Sequence, residues 1–434
     1  MSADIPPFLW AEFVRLGRTL VPRPEDRTPL TLATAPYMMI QFIPFLAMAY
    51  LVRRPNTYIL RLLILPILIV TALHAAFGYV WTNPRLNVYN WGAALYCFVL
   101  IGKSLDWALV KEGRFKQGEH DVGAMEEPAV ASKEETDSAP GDAAARKRPL
   151  ADVLPRGLED ALEIAFALRG LGWDYGRDVP VPAFTRPTEP KAYLRATAKS
   201  FLLNFLALDL LESMLKLVPG VGSPEGASIF LPHLPPLQRY TLSTAIHFAT
   251  GFSLLAGFGM VYDLCTLIAV GVLGHSPTSW PPVLDAPWAA ESLHDFWARR
   301  WHQLLRQTFY IWGGRPGRAL FGNIGLVFGT FLASGLFHEC SMYAMGRGWD
   351  ARVVLFFLMQ GGSVVGERIW RKVTGRRVDG ILGTAWVYFD IGILGQPLVD
   401  AWHSRGLAGG MVIPPFVSPA RLAIIPAARA LLKI

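Results

Sequence analysis

Long uncharged blocks dominate the pattern of hydrophobic and polar positions along this chain. Residues 33–52 read ATAPYMMIQFIPFLAMAYLV and residues 62–81 read LLILPILIVTALHAAFGYVW, and neither block holds an Asp, Glu, Lys or Arg. A run of about twenty apolar residues matches the hydrocarbon core of a bilayer. Prolines are tolerated inside such helices because neighbouring groups satisfy the freed backbone. Both blocks therefore predict transmembrane helices.

The same pattern recurs along the rest of the chain and predicts six more spans. These are Trp91–Val110, Ala198–Val218, Thr241–Val272, Ala319–Met342, Ala351–Gly366 and Gly380–Trp402. A further apolar stretch, Met411–Leu432, contains four prolines and two arginines and is left open as a span. The first apolar block is the least secure, since four arginines precede it. We expect an all-α, polytopic integral membrane protein with about eight transmembrane helices, within a range of seven to ten.

One stretch breaks this apolar pattern. Residues 291–310 read ESLHDFWARRWHQLLRQTFY and combine tryptophans, arginines and histidines. On a continuous helix one side would be apolar and another polar, by the i, i+3, i+4 rule. Trp297, Trp301, Leu304 and Leu305 form the apolar side, and Arg299, His302, Gln303 and Arg306 form the polar side. This pattern predicts an amphipathic helix that lies in the membrane interface.

The distribution of charge predicts how the spans are oriented. Only 17% of the residues are charged, whereas soluble proteins carry about a quarter. Loops rich in Lys and Arg, such as residues 53–61 and 367–379, alternate with poor ones, such as residues 82–90 and 219–240. The positive-inside rule then places the rich loops in the cytosol. The net charge of +7 is explained by anionic cytosolic lipid, so no nucleic-acid partner is predicted.

Composition divides the chain into three parts. Residues 112–148 are rich in Glu, Ala, Gly, Ser and Lys and have few large apolar side chains. Such a segment buries too little apolar surface to offset its ordering entropy. We expect N-terminal transmembrane helices in residues 1–110, a disordered cytosolic linker in residues 111–150, and a second membrane unit in residues 151–434.

Several familiar chemistries lack a sequence signature here. No G-x-S-x-G nucleophile elbow, P-loop or dinucleotide glycine fingerprint occurs. The three cysteines, Cys97, Cys265 and Cys340, lie in apolar blocks without the spacing of a metal site or a disulfide framework. We predict no metal, so any catalytic group must be found among polar residues at membrane depth.

Residues 331–346, FLASGLFHECSMYAMG, hold the strongest candidates, His338 and Glu339, inside the sixth predicted span. Ionisable residues inside a membrane are costly, rare and often functional. The competing interpretation is a histidine satisfied by a neighbouring helix, with a paired or neutral glutamate. Further polar residues of the spans are weaker candidates for lining a substrate tunnel, and these are Asn204, His247, Ser334 and Asp390.

Two motifs together resemble a known family. SLHDFWARRWH at residues 292–302 and SGLFHE at residues 334–339 are similar to paired elements of the wax synthase-like branch of the membrane-bound O-acyltransferases. RGLGWDYG at residues 169–176 resembles an element of its fungal members. Position 302 is histidine, as in many fungal members, where plant wax synthases have asparagine. The resemblance favours the fungal group, several of which resemble acetyltransferases of terpenoids and other secondary metabolites.

The resemblance implies a reaction and a set of roles. An acetyl or short acyl group would move from acyl-CoA to the hydroxyl of a lipophilic small molecule in a tunnel within the bilayer of the endoplasmic reticulum. His338 would be the general base, His302 would bind the thioester carbonyl or the donor, and Glu339 would orient the imidazole or a neighbouring group. Donor binding would fall to Trp297, Arg299, Arg300, Trp301, Gln303 and Arg306. Acetyl-CoA would be a co-substrate, with no tightly bound cofactor, and the oligomeric state stays open.

Alternatives remain at this stage. Within the same chemistry, the protein would be a long-chain wax ester or sterol O-acyltransferase. A polytopic transporter would use the same intramembrane His, Asp and Glu residues in a proton relay, although no related halves are visible. The enzyme interpretation also contains a tension. A straight sixth span from Ala319 places His338 towards the non-cytosolic end, whereas the donor arrives from the cytosol.

Overall fold

The computed structural model describes residues 7–121, 124–125 and 155–432, and these are predominantly helical. Two short strand pairs accompany the helices, Thr28–Pro29 parallel to Tyr79–Val80 and Glu119–Asp121 antiparallel to Ala124–Met125. The longer helices are α1 Pro7–Leu20, α2 Phe42–Leu51, α3 Tyr58–Phe77, α4 Asn87–Leu109, α5 Arg156–Phe166, α6 Pro190–Lys216, α7 Pro236–Gly271, α8 Arg315–Tyr343, α9 Ala351–Thr374, α10 Gly380–Gly392, α11 Gln396–His403 and α12 Ile425–Leu432.

Five helical segments of the described chain are long and apolar enough to cross a membrane. They are α3, α4 with the turn before it, α7, residues 306–343 and α9. The predicted all-α, polytopic membrane architecture is therefore confirmed. α6 is also long, with 27 residues, but it carries carboxylates that the structure uses internally. Glu212 accepts hydrogen bonds from the backbone N–H groups of Val412 and Ile413, and Asp209 accepts one from Ala420.

Two predicted spans are not single long helices. Residues 35–51 form three short helical pieces, of which α2 is the longest with 10 residues. The predicted span Gly380–Trp402 is divided into α10 and α11. Pro397 explains this division, because a proline has no N–H to continue the hydrogen bonding of a helix. Hydropathy alone does not register such a break.

The sixth predicted span begins later than expected, because residues 306–343 form a helical hairpin. Phe321 and Gly322 have non-helical backbone angles, and Gly322 has a φ of 60°. Residues 306–320, the first arm, pack against residues 323–343, the second arm. A Cβ atom added to Gly313 would lie 1.9 Å from the Gly329 carbonyl oxygen, and one added to Gly317 would lie 2.1 Å from that of Gly325. Two G-x-x-x-G motifs thus face each other, and small residues permit this close approach.

Contacts group the basic loops at one end of the helices, here called the basic end. Arg53 pairs with Glu119 at 2.8 Å, and Arg169 donates to the carbonyl of Pro282 at 2.8 Å. Buried Arg61 donates to the carbonyl of Val110 just beyond the C-terminus of α4, where a cation is favourable. These contacts join the loops that the charge alternation assigns to one side.

The poorly charged loops gather at the other end, here called the opposite end. Asn87 donates to the carbonyl of Met345 at 3.1 Å, and Lys216 donates to the carbonyl of Ala408 at 2.8 Å. The two ends therefore separate the loops in the alternating manner that a polytopic chain requires.

The predicted linker is ordered in its first part. Arg114 pairs with Asp106 on α4 and with Asp174 at 3.0 Å, and the backbone of Lys116 forms a bridge with Trp173. These contacts tie residues 111–121 to the RGLGWDYG element, so disorder was the wrong expectation for them. Residues 126–150 of the predicted linker lie outside the described residues.

Candidate active site

The segment from Leu293 to Leu305 is not the continuous amphipathic helix that the sequence pattern predicts. It begins with a helical turn whose first backbone N–H groups, those of Leu293 and His294, donate to the Glu367 carboxylate at 2.7 and 3.0 Å. A carboxylate is favourable at a helix N-terminus. A π-helical turn follows over Phe296–Arg300, and regular helix resumes only at Arg306. Single π-turns occur frequently at functional sites.

Gln303 explains why the helix stops. Its buried side-chain amide donates to the backbone carbonyls of Trp297 and Trp301 at 3.1 and 2.7 Å, and its oxygen accepts from Arg306 at 3.2 Å. The side chain thus satisfies carbonyls that a continuing helix would have used. Gln303, predicted as a donor-binding residue, braces the turn that carries His302.

Trp297 belongs to a buried polar chain that links this segment to α9 and α10. Its indole N–H donates to Gln360 at 2.9 Å, and the Gln360 amide donates to Asp390. The Ser363 hydroxyl donates to the other Asp390 oxygen at 2.7 Å. Asp390, predicted to line a tunnel, therefore holds Trp297 in place through Gln360.

His302 lies among aromatic rings. Its ring centroid is 4.5 Å from that of Phe258 on α7 and 5.3 Å from that of Trp301. Its Nδ1 atom is buried and has no hydrogen-bond partner within the described residues. Burial lowers the pKa of His302 to about 3, and the His338 imidazole adds to this lowering because charges on the two rings would repel each other. His302 is therefore neutral near pH 7 and lies close to His338.

His338 has a defined tautomer. Its Nδ1 atom lies 2.8 Å from the carbonyl oxygen of Ser334, one helical turn earlier. A carbonyl only accepts, so Nδ1 carries the proton and a neutral ring keeps its lone pair on Nε2. The imidazole stacks on Phe357, with ring centroids 4.8 Å apart, and contacts Phe309 and Phe337. A neutral imidazole held in this way can accept a proton at Nε2.

Glu339 faces a different environment and does not contact His338 through any described hydrogen bond. Both its oxygens pair with Arg405 at 2.8 Å, and one also accepts from the Asp350 backbone N–H at 2.7 Å. Both charged side chains are buried. Successive residues of a helix point about 100° apart, which explains the separation. The same geometry argues against a direct contact between Glu339 and the imidazole, and Glu339 as an orienting residue stays a prediction.

The three arginines predicted to bind the donor differ in how tightly neighbouring residues hold their side chains. Arg300 is held by Asp295 and by the carbonyl of Asp285 at 3.2 Å. Arg299 is about half exposed and lies 3.1 Å from Asp295. Arg306 is exposed and bonds only weakly, to Gln303 and to the Ala298 carbonyl at 3.4 Å. Arg299 and Arg306 could turn towards a ligand, whereas Arg300 stabilises the loop.

A polar cavity of about 320 Å³ opens beside the first arm of the hairpin, at the basic end. Lys111, Arg114 and Arg315 contribute its cationic side chains, and Gln307 on its wall donates to Asp106 at 2.9 Å. Sequence reasoning missed this cavity because it assigned Lys111 and Arg114 to the linker. The only signal available was the short spacing of arginines in GGRPGR, residues 313–318.

The remaining candidates have separate locations. Asn204 on α6 lies 3.4 Å from Ser200 on the same helix and from Asp263 on α7. Arg186, which precedes α6, donates to the same Asp263 carboxylate. His247 is buried on α7 towards the opposite end. Ser334 reaches the site through its carbonyl alone. The structure thus brings together His302, His338, Trp297 and Trp301, with Asp390 behind them.

Comparison with known proteins agrees with this arrangement. Residues 280–359, which contain both histidines, match the model of the membrane bound O-acyl transferase family. The chain resembles the membrane-bound O-acyltransferases. It is 26% identical to an acetyltransferase of Arthrobotrys oligospora over 59% of this chain and 59% of that protein, and 26% identical to acetyltransferase aurG of Calcarisporium arbuscula over 56% and 63%.

A plant relative matches a shorter stretch more closely. Acyl-CoA–sterol O-acyltransferase 1 of Arabidopsis thaliana is 35% identical over 121 residues, which are 25% of this chain and 34% of the relative. The alignments with the two fungal relatives cover less than two thirds of either protein. The resemblance to membrane-bound O-acyltransferases, and to their fungal acetyltransferases, is thus confirmed.

Proposed function

We propose that this protein is an acyl-CoA-dependent O-acyltransferase that moves an acetyl or short acyl group to a hydroxyl of a lipophilic small molecule, such as a terpenoid or another fungal secondary metabolite. The observation that carries this proposal is the His338 imidazole, whose Nδ1–H is bound to Ser334 and whose Nε2 lone pair lies in an aromatic surrounding next to His302. We further propose the endoplasmic reticulum membrane as its location.

In the proposed reaction, His338 Nε2 takes the proton of the acceptor hydroxyl as its oxygen attacks the thioester carbonyl carbon. The C–S bond then breaks and the coenzyme A thiolate leaves, taking up a proton that the imidazolium returns. General base catalysis of this kind typically contributes about 10²–10⁴-fold to a rate. A donor N–H on His302 would stabilise the developing oxyanion, as hydrogen-bond donors aimed at such charge do. A neutral His302 ring still carries one N–H, so this role is compatible with its lowered pKa.

The hairpin supports entry of the donor from the basic end. Because the chain reverses at Gly322, the His302 loop lies beside the second arm near His338. The polar cavity, whose wall carries Asp106 and Glu112 as well as the three cations, lies beside the first arm. We propose that Lys111, Arg315, Arg299 and Arg306 face the phosphates of coenzyme A. In this proposal the coenzyme A site runs from the basic end along the first arm towards His338. A donor that enters from the cytosol can then reach His338, although this residue lies towards the non-cytosolic end of the helix.

The names of the relatives specify different parts of the reaction, the acyl group for the fungal relatives and the acceptor for the plant relative. The fungal relatives are called acetyltransferases, and the plant relative that is 35% identical over a shorter stretch is called a sterol acyltransferase. Acetyl transfer is our proposal, because the fungal alignments cover more than half of this chain. A long-chain wax ester or sterol O-acyltransferase is the second candidate.

The test uses membranes that contain the full-length protein, its His338→Ala variant or neither. Each is incubated with radiolabelled acetyl-CoA or palmitoyl-CoA and a lipid extract of a fungal culture that makes terpenoid alcohols. We expect label from acetyl-CoA to enter a lipophilic ester only with the wild-type protein, and at least 100-fold less with the variant. Transfer from palmitoyl-CoA alone would favour the second candidate. Equal transfer by the variant would contradict the proposed base.

A further inference from the structure

A second pair of buried histidines lies away from the candidate active site. His403 on α11 is 1% exposed and His247 on α7 is 7% exposed. The His403 Nε2 atom lies 2.8 Å from the Thr250 hydroxyl, and Thr250 follows His247 by three residues on the same helix face. The two imidazoles therefore lie at the same contact between α7 and α11.

The hydrogen bonds fix which atoms of His403 are free. The Thr250 hydroxyl donates its proton to the carbonyl of Ile246 at 2.8 Å, so it must accept from His403. His403 Nε2 therefore carries the proton, and Nδ1 has a bare lone pair in the neutral ring. The Nδ1 atoms of His403 and of His247 are both buried without a hydrogen-bond partner among the described residues. Leaving the buried His403 acceptor unpaired is costly.

The distance from this pair to the active site can be estimated along α7. His247, Thr250, Leu254 and Phe258 share one face of the helix at spacings of three and four residues. Phe258 contacts His302, and eleven residues separate it from His247, which corresponds to about 16 Å at 1.5 Å per residue. Leu254 packs in one apolar cluster with Trp297 and Phe331. Apolar side chains thus lie between the two histidine pairs, His247 with His403 and His302 with His338.

We propose that His247 and His403 form a binding subsite for a second hydroxyl of the acceptor, remote from the hydroxyl that is acylated. This inference rests on the proposed acyl transfer. A lipophilic molecule with oxygens at both ends would place one hydroxyl at His338 and donate the single proton of the other to the free Nδ1 of His403, with His247 beside it. A purely apolar end would leave the His403 Nδ1 lone pair without a donor, so the subsite would select acyl acceptors with two separated hydroxyl groups.

The experiment compares 1-dodecanol with 1,12-dodecanediol, whose extended length is close to the separation of the two sites. The ratio of kcat/KM for the diol to that for the mono-alcohol is measured with acetyl-CoA for the wild type and for variants. 1-Hexanol and 1,6-hexanediol form a matched pair too short to reach both sites. Comparing each variant with the wild type cancels differences in membrane partitioning and the presence of two reactive ends in a diol.

Three substitutions separate the subsite from a structural role. His403→Gln keeps an amide donor for Thr250 but removes the acceptor at Nδ1. His403→Asn keeps an acceptor near Nδ1 but loses the Thr250 contact. His74→Gln, at an exposed histidine of α3, is the control. We expect the twelve-carbon diol ratio to fall about 3- to 10-fold only in His403→Gln, which is the range for one lost hydrogen bond, with the six-carbon ratio unchanged.

The outcomes are distinct. An unchanged diol ratio in His403→Gln, with transfer to both alcohols intact, would overturn the subsite and leave the proposed function standing. An equal fall with the six-carbon pair would also overturn it, since that diol cannot span the distance. Failure of the wild type to acetylate any alcohol, including those of the terpenoid extract, would overturn the proposed function and this inference with it.

Discussion

His338 and Glu339 are adjacent near the C-terminal end of the second hairpin arm, but their surroundings differ sharply. His338 lies among the rings of Phe357, Phe337 and Phe309, with one nitrogen bound to a carbonyl and the other without a hydrogen bond to any described residue. Glu339 lies in a buried ion pair with Arg405. A free base needs an unpaired lone pair, whereas a buried carboxylate needs a paired charge. The comparison teaches that two faces of one helical turn serve two purposes, the proposed chemistry on one face and the anchoring of the helix on the other.

The anchor connects this turn to two parts of the opposite end. Arg405 also donates to the carbonyls of Ala401 and Gly348, and Glu339 accepts from the Asp350 backbone. α8 is thereby fixed to α11 and to the turn before α9. The position of His338 follows from this anchor, since both residues belong to the same helical turn.

Breaking the anchor should give the largest effect on stability. Glu339→Ala leaves the buried Arg405 charge unpaired, and loss of one partner of a buried pair typically costs about 3–5 kcal/mol. We expect a strongly lowered midpoint of thermal unfolding in detergent. The molecules that remain folded should keep acetyl transfer within about tenfold of the wild type, because Glu339 does not touch the proposed substrates.

A double variant is the control for this prediction. Glu339→Leu combined with Arg405→Leu removes both charges, and replacing a buried pair by apolar residues is often neutral. We expect the double variant to be more stable than Glu339→Ala. A double variant as unstable as the single one would show that packing, rather than the unpaired charge, dominates at this position.

Close packing of the two hairpin arms holds His338 among its aromatic neighbours. We expect one added methyl group between the arms to disturb this packing. Gly329→Ala places a Cβ atom against the Gly313 backbone, which cannot move aside cheaply. Overpacking of this kind typically costs about 1–3 kcal/mol. We expect lower stability and also lower acetyl transfer per folded molecule, since the first arm continues directly from the His302 loop.

Gly362→Ala in α9 is the matched control, since no atom lies within 4 Å of its added Cβ. It should be neutral or slightly stabilising, because alanine is the better helix former. Equal losses in the two variants would contradict the close approach of the two arms.

The buried imidazole of His302 predicts a smaller, pH-dependent effect. Its pKa is lowered to about 3 in the folded protein, whereas an unfolded histidine titrates near 6.5. Below about pH 6.5 the unfolded state binds a proton that the folded state excludes, so stability falls as the pH decreases towards 3. His302→Asn should reduce the slope of stability against pH in this window by up to one proton.

The measurement is the unfolding midpoint in detergent between pH 7 and pH 4, for the wild type and His302→Asn. His294→Asn, at an exposed neighbouring histidine, is the control and should leave the slope unchanged. An unchanged slope in His302→Asn would contradict the neutral, buried state of that ring.

The exposed arginines should give the smallest effects. Arg299→Ala and Arg306→Ala are each expected to raise the KM for acetyl-CoA about 2- to 5-fold at low salt, with little change in kcat, because exposed ion pairs are worth about 1 kcal/mol or less and are screened by salt. Arg300→Ala should instead lower stability, since Arg300 holds Asp295 and the carbonyl of Asp285. A raised KM in Arg300→Ala alone would reverse these assignments.

Hydropathy was sufficient to predict the helical membrane architecture, because span length and lipid thickness are tied together. It could not predict the hairpin, since α8 and the helical turns before it read as a nearly continuous apolar helix. The GGRPG and GLVFG motifs carried the missing signal, but their pairing depends on the reversal at Gly322. Helix periodicity similarly failed for residues 301–305, where Gln303 captures backbone carbonyls.

The site was predicted unevenly for a similar reason. Sequence motifs singled out His302 and His338, which the fold brings together. They did not reveal Phe258, Phe357 or Arg405, because aromatic residues and single arginines are common in membrane helices and only tertiary contacts distinguish them. Helix geometry already predicts that Glu339 points away from its neighbour His338, but not that Arg405 is its partner.

The most direct test of the central claim is the position of the donor relative to His338. A cryo-EM structure of the wild-type protein with acetonyl-CoA, a ketone analogue of acetyl-CoA, would show where the carbonyl lies. We predict the carbonyl carbon about 4–6 Å from His338 Nε2, which leaves room for an acceptor oxygen in hydrogen-bond reach of the base. A carbonyl more than about 10 Å from this nitrogen would contradict His338 as the base that activates the acceptor.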